Sequence, residues 1–216
     1  MDGCEQNSFH QFDVWGHTVA TVQAVRKEGP DARARAWAAL LHDLGKPYVR
    51  HMKTNGEWGF YRHDAVGAEM APVLLERLRL ARKEVHLVTL LVRRHMDRPK
   101  PEDRRSVRRF LSKVGGHWED LLALKRADNA SHTYDDEGYH AALEAACRRA
   151  VSEDSEALRA ESPLTGDDLV AMFDREPGPW IRVVKDRLSA MVLDGELAPG
   201  DREHARRIAR GIMKGR

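Results

Sequence analysis

Apolar residues recur at spacings of three and four along nearly the whole chain, and this pattern predicts a succession of helices. Residues 11–27 place Val14, Thr18, Thr21, Val22 and Val25 on one side, and residues 31–44 place Trp37, Leu40, Leu41 and Leu44 on another. The sequence "GKP" then predicts a stop, with Gly45 as a left-handed cap and Pro47 unable to continue. Asn55-Gly56, set between aromatic and β-branched residues, predicts a short hairpin or ordered loop. Val66, Met70, Leu74 and Leu78 mark a helix over 64–80, with Pro72 predicting a kink or break. Further stripes cover 84–96 (Val85, Val88, Leu91, Val92), 103–114 (Val107, Phe110, Leu111, Val114), 117–130 (Trp118, Leu121, Leu122, Leu124) and 137–160. Trp15, Trp37 and Trp118 read as core.

The character changes near residue 162. "SPLTGDD" offers a cap at Thr165 with an acid three positions on, and "EPGPW" puts Pro179 at a first helical position. Ile181, Val184, Leu188 and Met191, then Ala205, Ile208 and Ile212, mark two closing helices. The expectation is one domain over 1–160 and a C-terminal helical extension over 161–216 packed on it.

Six polar residues interrupt these stripes or stand at their edges. His17 follows Val14 by three; His42 and Asp43 end an apolar run; His63 opens a helix; His95 continues the Val88–Val92 stripe; Asp128 lies four after Leu124. A buried imidazole or carboxylate is costly unless paired or bound to a cation. One such histidine is ordinary core, but six polar residues on separate helices suggest a shared site, as in metal centres built inside bundles. Imidazole and carboxylate without thiolate favour Mn, Fe, Co, Ni or Zn. The donors suffice for two ions a few Å apart with one carboxylate bridging, an arrangement suited to displacement at phosphorus.

Composition narrows the reading without redirecting it. At 216 residues, 32% charged and 6% aromatic, the chain suits a soluble helical protein, and a net charge of +2 says little about partners. Cys4 and Cys147 form no disulfide framework or CxxC site. No apolar run approaches a membrane span, and the N-terminus lacks a signal-peptide build, so the expected setting is cytoplasmic with no membrane partner.

"GHTVA", "LLHDLGKP", "RHM" and "RAD", in that order, resemble the HD phosphohydrolase superfamily. "FDVWGHT", "GFYRHDAVGAEMA", "LVRRHMDRP", "SPLTGDDL" and "PGPWI" are similar to the HD domain that follows the nucleotidyltransferase head in bacterial CCA-adding tRNA nucleotidyltransferases. The head's Gly-Ser motif with paired aspartates has no counterpart here, so CCA addition is not expected. The resemblance implies an all-α, HD-type helical bundle with the short hairpin and a small C-terminal extension. It implies that His17, His42, Asp43 and Asp128 ligate a first metal, with Asp43 bridging, and that His63 and His95 serve a second. The cofactors would be two divalent ions, Mn, Fe, Ni or Co, with Mg admissible.

The implied function is metal-dependent hydrolysis of a phosphoester in a nucleotide or RNA 3′ end, with 2′,3′-cyclic phosphodiesterase and phosphatase activity the first choice. Asp43 and Lys46 are the catalytic candidates; Lys46, Arg62 and Arg94 are the substrate-binding ones. Lys46 also reads as a cation on a helix C-terminus. The alternatives are a nucleotidase or dinucleoside polyphosphate hydrolase of the same superfamily, or a non-catalytic, metal-stabilised RNA-binding module. The basic run over 93–113 reads either as a track for an RNA backbone or as a solvated surface balanced by acids.

Overall fold

The structure is a computed structural model and describes residues 1–7, 11–130, 132–159 and 161–214. It is an all-α fold with a single two-stranded hairpin among the described residues. The chain divides into two compact units, residues 1–98 with 114–144, and residues 99–113 with 145–216. Among the described residues no helix is long and apolar enough to cross a membrane.

The first unit is a bundle built on α1 (Val14–Ala24), α2 (Ala32–Leu41), α4 (His63–Arg77), α5 (Arg82–Arg94) and α7 (Trp118–Asn129). Asp13 caps α1 by accepting from the Gly16 amide at 2.7 Å. Val14, Leu41, Leu91, Val92 and Leu121 are buried where the apolar stripes predict. Trp118 is buried as expected, but Trp15 is 45% exposed, which corrects its reading as core. The inner face of α1 is Val14, His17, Thr18 and Thr21, and Trp15 lies about 100° round the helix from Val14.

Two local expectations fail for one shared reason, close backbone packing. Gly45 has a right-handed φ of −76° and leads into the short helix α3 (Lys46–Val49), so "GKP" restarts the chain rather than stopping it. Gly45 is needed for space: a Cβ there would lie 2.2 Å from the His63 carbonyl oxygen and 2.8 Å from the Gly67 nitrogen. The buried face of α4 is accordingly His63, Gly67, Ala68, Ala71 and Leu75, not the Val66–Leu78 stripe, and Leu78 is 57% exposed. Small residues let α4 approach its neighbours, and this packing carries α4 unbroken through Pro72 despite the lost amide bond. Between α3 and α4, β1 (His51–Met52) pairs antiparallel with β2 (Trp58–Gly59) around the Asn55-Gly56 turn, as expected.

In the second unit the helix expected over 137–160 is interrupted. α8 (Glu137–Glu153) ends at buried Asp154, α9 spans Ser155–Arg159, and residue 160 lies outside the described residues. Asp154 accepts from Arg104 and, at 2.8 Å, from Arg108 on α6 (Arg104–Val114). α10 (Gly166–Phe173) starts with the expected Thr165–Asp168 capping box. Pro179 opens α11 (Pro179–Asp194), and α12 (Arg202–Lys214) completes a core of Leu164, Leu169, Trp180, Val184, Leu188, Leu197 and Ala205. Arg105 and Arg109 both reach Asp194, at 2.5 and 2.7 Å. In the first unit Arg98 holds Asp136. Five arginines of the basic run are therefore balanced by acids, which favours the solvated-surface reading over the RNA track.

Candidate metal centre

Five helix positions aim side chains at one point in the first unit. His17 sits mid-α1, His42 caps the end of α2 with Asp43 beside it, His63 begins α4, His95 ends α5, and Asp128 lies in the last turn of α7. His17, His42, Asp43, His63 and His95 are at most 6% exposed. The six residues proposed from the sequence thus meet.

They meet as two sets joined by Asp43. His17, His42 and Asp128 offer ligand atoms within 4.8 Å of one another, and so do Asp43, His63 and His95. In the first set His17 Nε2 is 3.1 Å from His42 Nε2 and 2.9 Å from Asp128 Oδ1. In the second, His63 Nε2 is 3.1 Å from His95 Nε2. Asp43 turns Oδ2 toward His42 Nε2 at 3.2 Å and Oδ1 toward His63 Nε2 at 3.3 Å. Asp43 thus turns one carboxylate oxygen to each set.

The donor chemistry fits divalent ions. His42, His63 and His95 each direct Nδ1 at a backbone carbonyl, of Ala39 at 2.8 Å, Phe60 at 2.8 Å and Val92 at 2.6 Å. A carbonyl only accepts, so each Nδ1 carries hydrogen, and a ring in its neutral form presents an Nε2 lone pair inward. His63 and His95 then oppose two lone pairs at 3.1 Å, an arrangement a cation between them would relieve. Asp43 Oδ2, fully buried, has the Lys46 ammonium at 2.7 Å but accepts no well-directed hydrogen bond.

Without ions the centre distributes charge unevenly. Burial lowers the pKa of His42, but the Asp43 and Asp128 carboxylates outweigh it and lift the imidazole to about 10. Burial, helped by His63 and His42, drives His95 down to about 3. Burial raises Asp43 and Asp128, yet His42 and Lys46 around the first, and His17 and His42 around the second, hold both carboxyls well below the usual range. Burial likewise lowers His63, so both rings favour the neutral form, in which imidazole ligates.

The centre opens into a cleft of about 840 Å³ lined by Asp43, Lys46, Arg62, His63, His95 and Asp128, together with His51, Lys53, Phe60, Tyr61, Met96, His132 and Tyr134. Lys46 is 5% exposed, with Nζ 2.5 Å from Gln6 Oε1. It stands at the start of α3 with its ammonium on Asp43, which sets aside its reading as a cation on a helix C-terminus. Arg62, exposed and left-handed at φ 63°, precedes α4 and lines the cleft. Arg94 does not line it and instead lies 3.5 Å from Asp97. His132 was not singled out from the sequence. Its ring stacks on His17 at 5.4 Å and 7°, and its Nε2 is 3.6 Å from Asp128 Oδ1. The available signal was its place four residues after Asp128. A further grouping of Asp31, His117 and Asp120 is half-buried, and Asp120 is already engaged by Arg35.

The HD-domain family model matches residues 14–159. A CC-adding tRNA nucleotidyltransferase of Thermus thermophilus is 33% identical over 211 residues, covering 94% of this chain and 46% of the relative. An A-adding tRNA nucleotidyltransferase of Deinococcus radiodurans is 34% identical over 201 residues, covering 90% of this chain and 46% of the relative. The chain thus spans about half the length of these relatives. It belongs to the HD-domain family.

Proposed function

We propose, proceeding from that membership, that this HD-domain protein is a metal-dependent phosphohydrolase acting on phosphoesters of nucleotides or RNA ends, with a 2′,3′-cyclic phosphodiester as the preferred substrate. The observation that carries the reading is Asp43, one buried carboxylate facing two separate histidine pairs. A structural metal site needs one closed ligand set, whereas two adjoining sets open to a cleft suit in-line displacement at phosphorus. The names of the two relatives support an RNA end as substrate.

His17, His42 and Asp128 would hold one divalent ion and His63 and His95 the other, with Asp43 shared. When bound, such ions draw charge from phosphoryl oxygens and make water more acidic near neutral pH. The chain's own groups do the rest. Carbonyls of Ala39, Phe60 and Val92 fix the imidazole orientations. Lys46 supplies a fixed positive charge on the cleft wall for a phosphoryl oxygen or the leaving group. Arg62 and Lys53, both exposed, give further cations for a phosphate, while the buried position of Lys46 keeps its charge from being screened by bulk water.

The test is elemental analysis of protein purified without chelators, followed by assay of 2′,3′-cyclic AMP, 5′-dAMP and diadenosine tetraphosphate with added Mn or Ni. About two equivalents of metal and turnover of the cyclic substrate are expected. No turnover of any of the three would reject the phosphohydrolase reading. Turnover of only the second or third would move the substrate elsewhere within the superfamily.

A further inference from the structure

Three rings form a column from the centre into the cleft. His132 lies nearly parallel on His17, and Tyr134 continues on His132 with centroids 5.3 Å apart and planes at 26°. Tyr134 is 45% exposed and lines the cleft, as does Met96, 54% exposed. The other cleft aromatics differ. Tyr61 is 79% exposed beside the hairpin, and Phe60 has the Lys46 ammonium over its ring at 5.4 Å. Tyr134 is the aromatic that is both open to the cleft and anchored, through His132, to a proposed metal-binding histidine.

The same cleft therefore combines cations and a His/Asp centre with an exposed, fixed π face and a polarisable thioether. A phosphate alone or a sugar phosphate uses only the first group. A ligand carrying both a phosphate and a flat heterocycle uses both, since rings stack readily on aromatic faces and on sulfur. We propose that Tyr134, flanked by Met96, is the platform on which the substrate's nucleobase stacks, so that the site selects nucleoside phosphoesters over sugar phosphates. This rests on the phosphohydrolase reading and specifies its substrate class. Every base presents a π face, so the platform discriminates weakly among bases.

The experiment measures binding of the phosphonate analogues of AMP and of ribose 5-phosphate to the full Mn-loaded chain by calorimetry, which needs no turnover. The wild type is expected to prefer the AMP analogue. Tyr134→Ala is expected to weaken that analogue by roughly 5- to 150-fold, the range for loss of one base–aromatic stack. Affinity for the ribose analogue and metal content should stay unchanged, and Tyr134→Trp should retain the preference. No preference in the wild type, or equal losses for both analogues in Tyr134→Ala, would overturn the proposal. A merely supporting role for the ring would give the equal losses, with reduced metal content. If the wild type hydrolyses no phosphoester, the phosphohydrolase reading falls, while the ratio of the two affinities still judges the platform.

Discussion

Asp43 in the first unit and Asp154 in the second are both buried aspartates, 1% and 4% exposed, yet they are neutralised in different ways. Asp154 receives two guanidiniums, Arg104 and Arg108, whose charge is permanent at any physiological pH. Asp43 has one ammonium, Lys46, and otherwise faces imidazoles whose inward nitrogens are lone pairs when neutral. The first arrangement is complete within the chain. The second leaves room for an exchangeable cation. The distinction between a structural carboxylate and a ligand therefore lies in what surrounds it, not in burial.

Replacing Asp43 by Asn attacks the ligand side of that contrast and should have the largest effect. Activity should fall by at least the roughly 1,000-fold at the upper end for losing one preorganised electrostatic contact. Metal content should drop from about two equivalents to below one. Retention of both equivalents by elemental analysis would count against a shared carboxylate.

Gly45→Ala changes no ligand and tests whether their spacing matters. The new methyl would meet the His63 carbonyl at 2.2 Å, so the His42–Asp43 turn and the start of α4 must separate. Metal affinity is expected to weaken by roughly 10- to 100-fold, as when the support of a ligand is lost. A competition titration against a chelator measures it.

Asp154→Asn tests the other side and should be the mildest. Stability of the second unit should fall by about 1–3 kcal/mol, the cost of losing charge-assisted hydrogen bonds, with metal content and turnover unchanged. The two arginines hold the Asp154 carboxyl well below its ordinary value of 3.8. A depressed carboxyl contributes stability that is present above its unfolded pKa and lost as pH falls toward the folded one. The gap between wild type and variant should thus be constant above about pH 5 and close progressively below 3.8. Urea midpoints from pH 7 to pH 2 would show it. A gap that widens on acidification would contradict the ion-pair account.

Much of the centre was legible because burying an imidazole or carboxylate on an apolar stripe is anomalous, and anomalies at His17, His95 and Asp128 show in a periodic pattern. His132 is less legible, because it lies beyond the end of α7, where only its spacing of four from Asp128 ties it to the centre. The inner face of α4 is hidden in the sequence because large apolar residues dominate its pattern, whereas close packing selects Gly67, Ala68 and Ala71. The interruption at Asp154 and the pairing of the 93–113 arginines depend on partners distant in sequence, such as Asp194, that local spacing does not reveal. Arg94 follows Arg93 and precedes His95 in sequence, but adjacent helical residues point about 100° apart, and Arg94 reaches Asp97 instead of the cleft.

The contact between Gly45 and the backbone at His63 has a consequence for how such a chain can change. It closes residues 46–62 into a detour whose two ends are clasped together. Lengthening the turn between Met52 and Trp58 within that detour costs only the slow logarithmic penalty of a longer loop, about 0.6 kcal/mol per doubling, and leaves the clasp intact. New substrate preferences can therefore be tried out on the hairpin while the reacting centre behind it stays fixed.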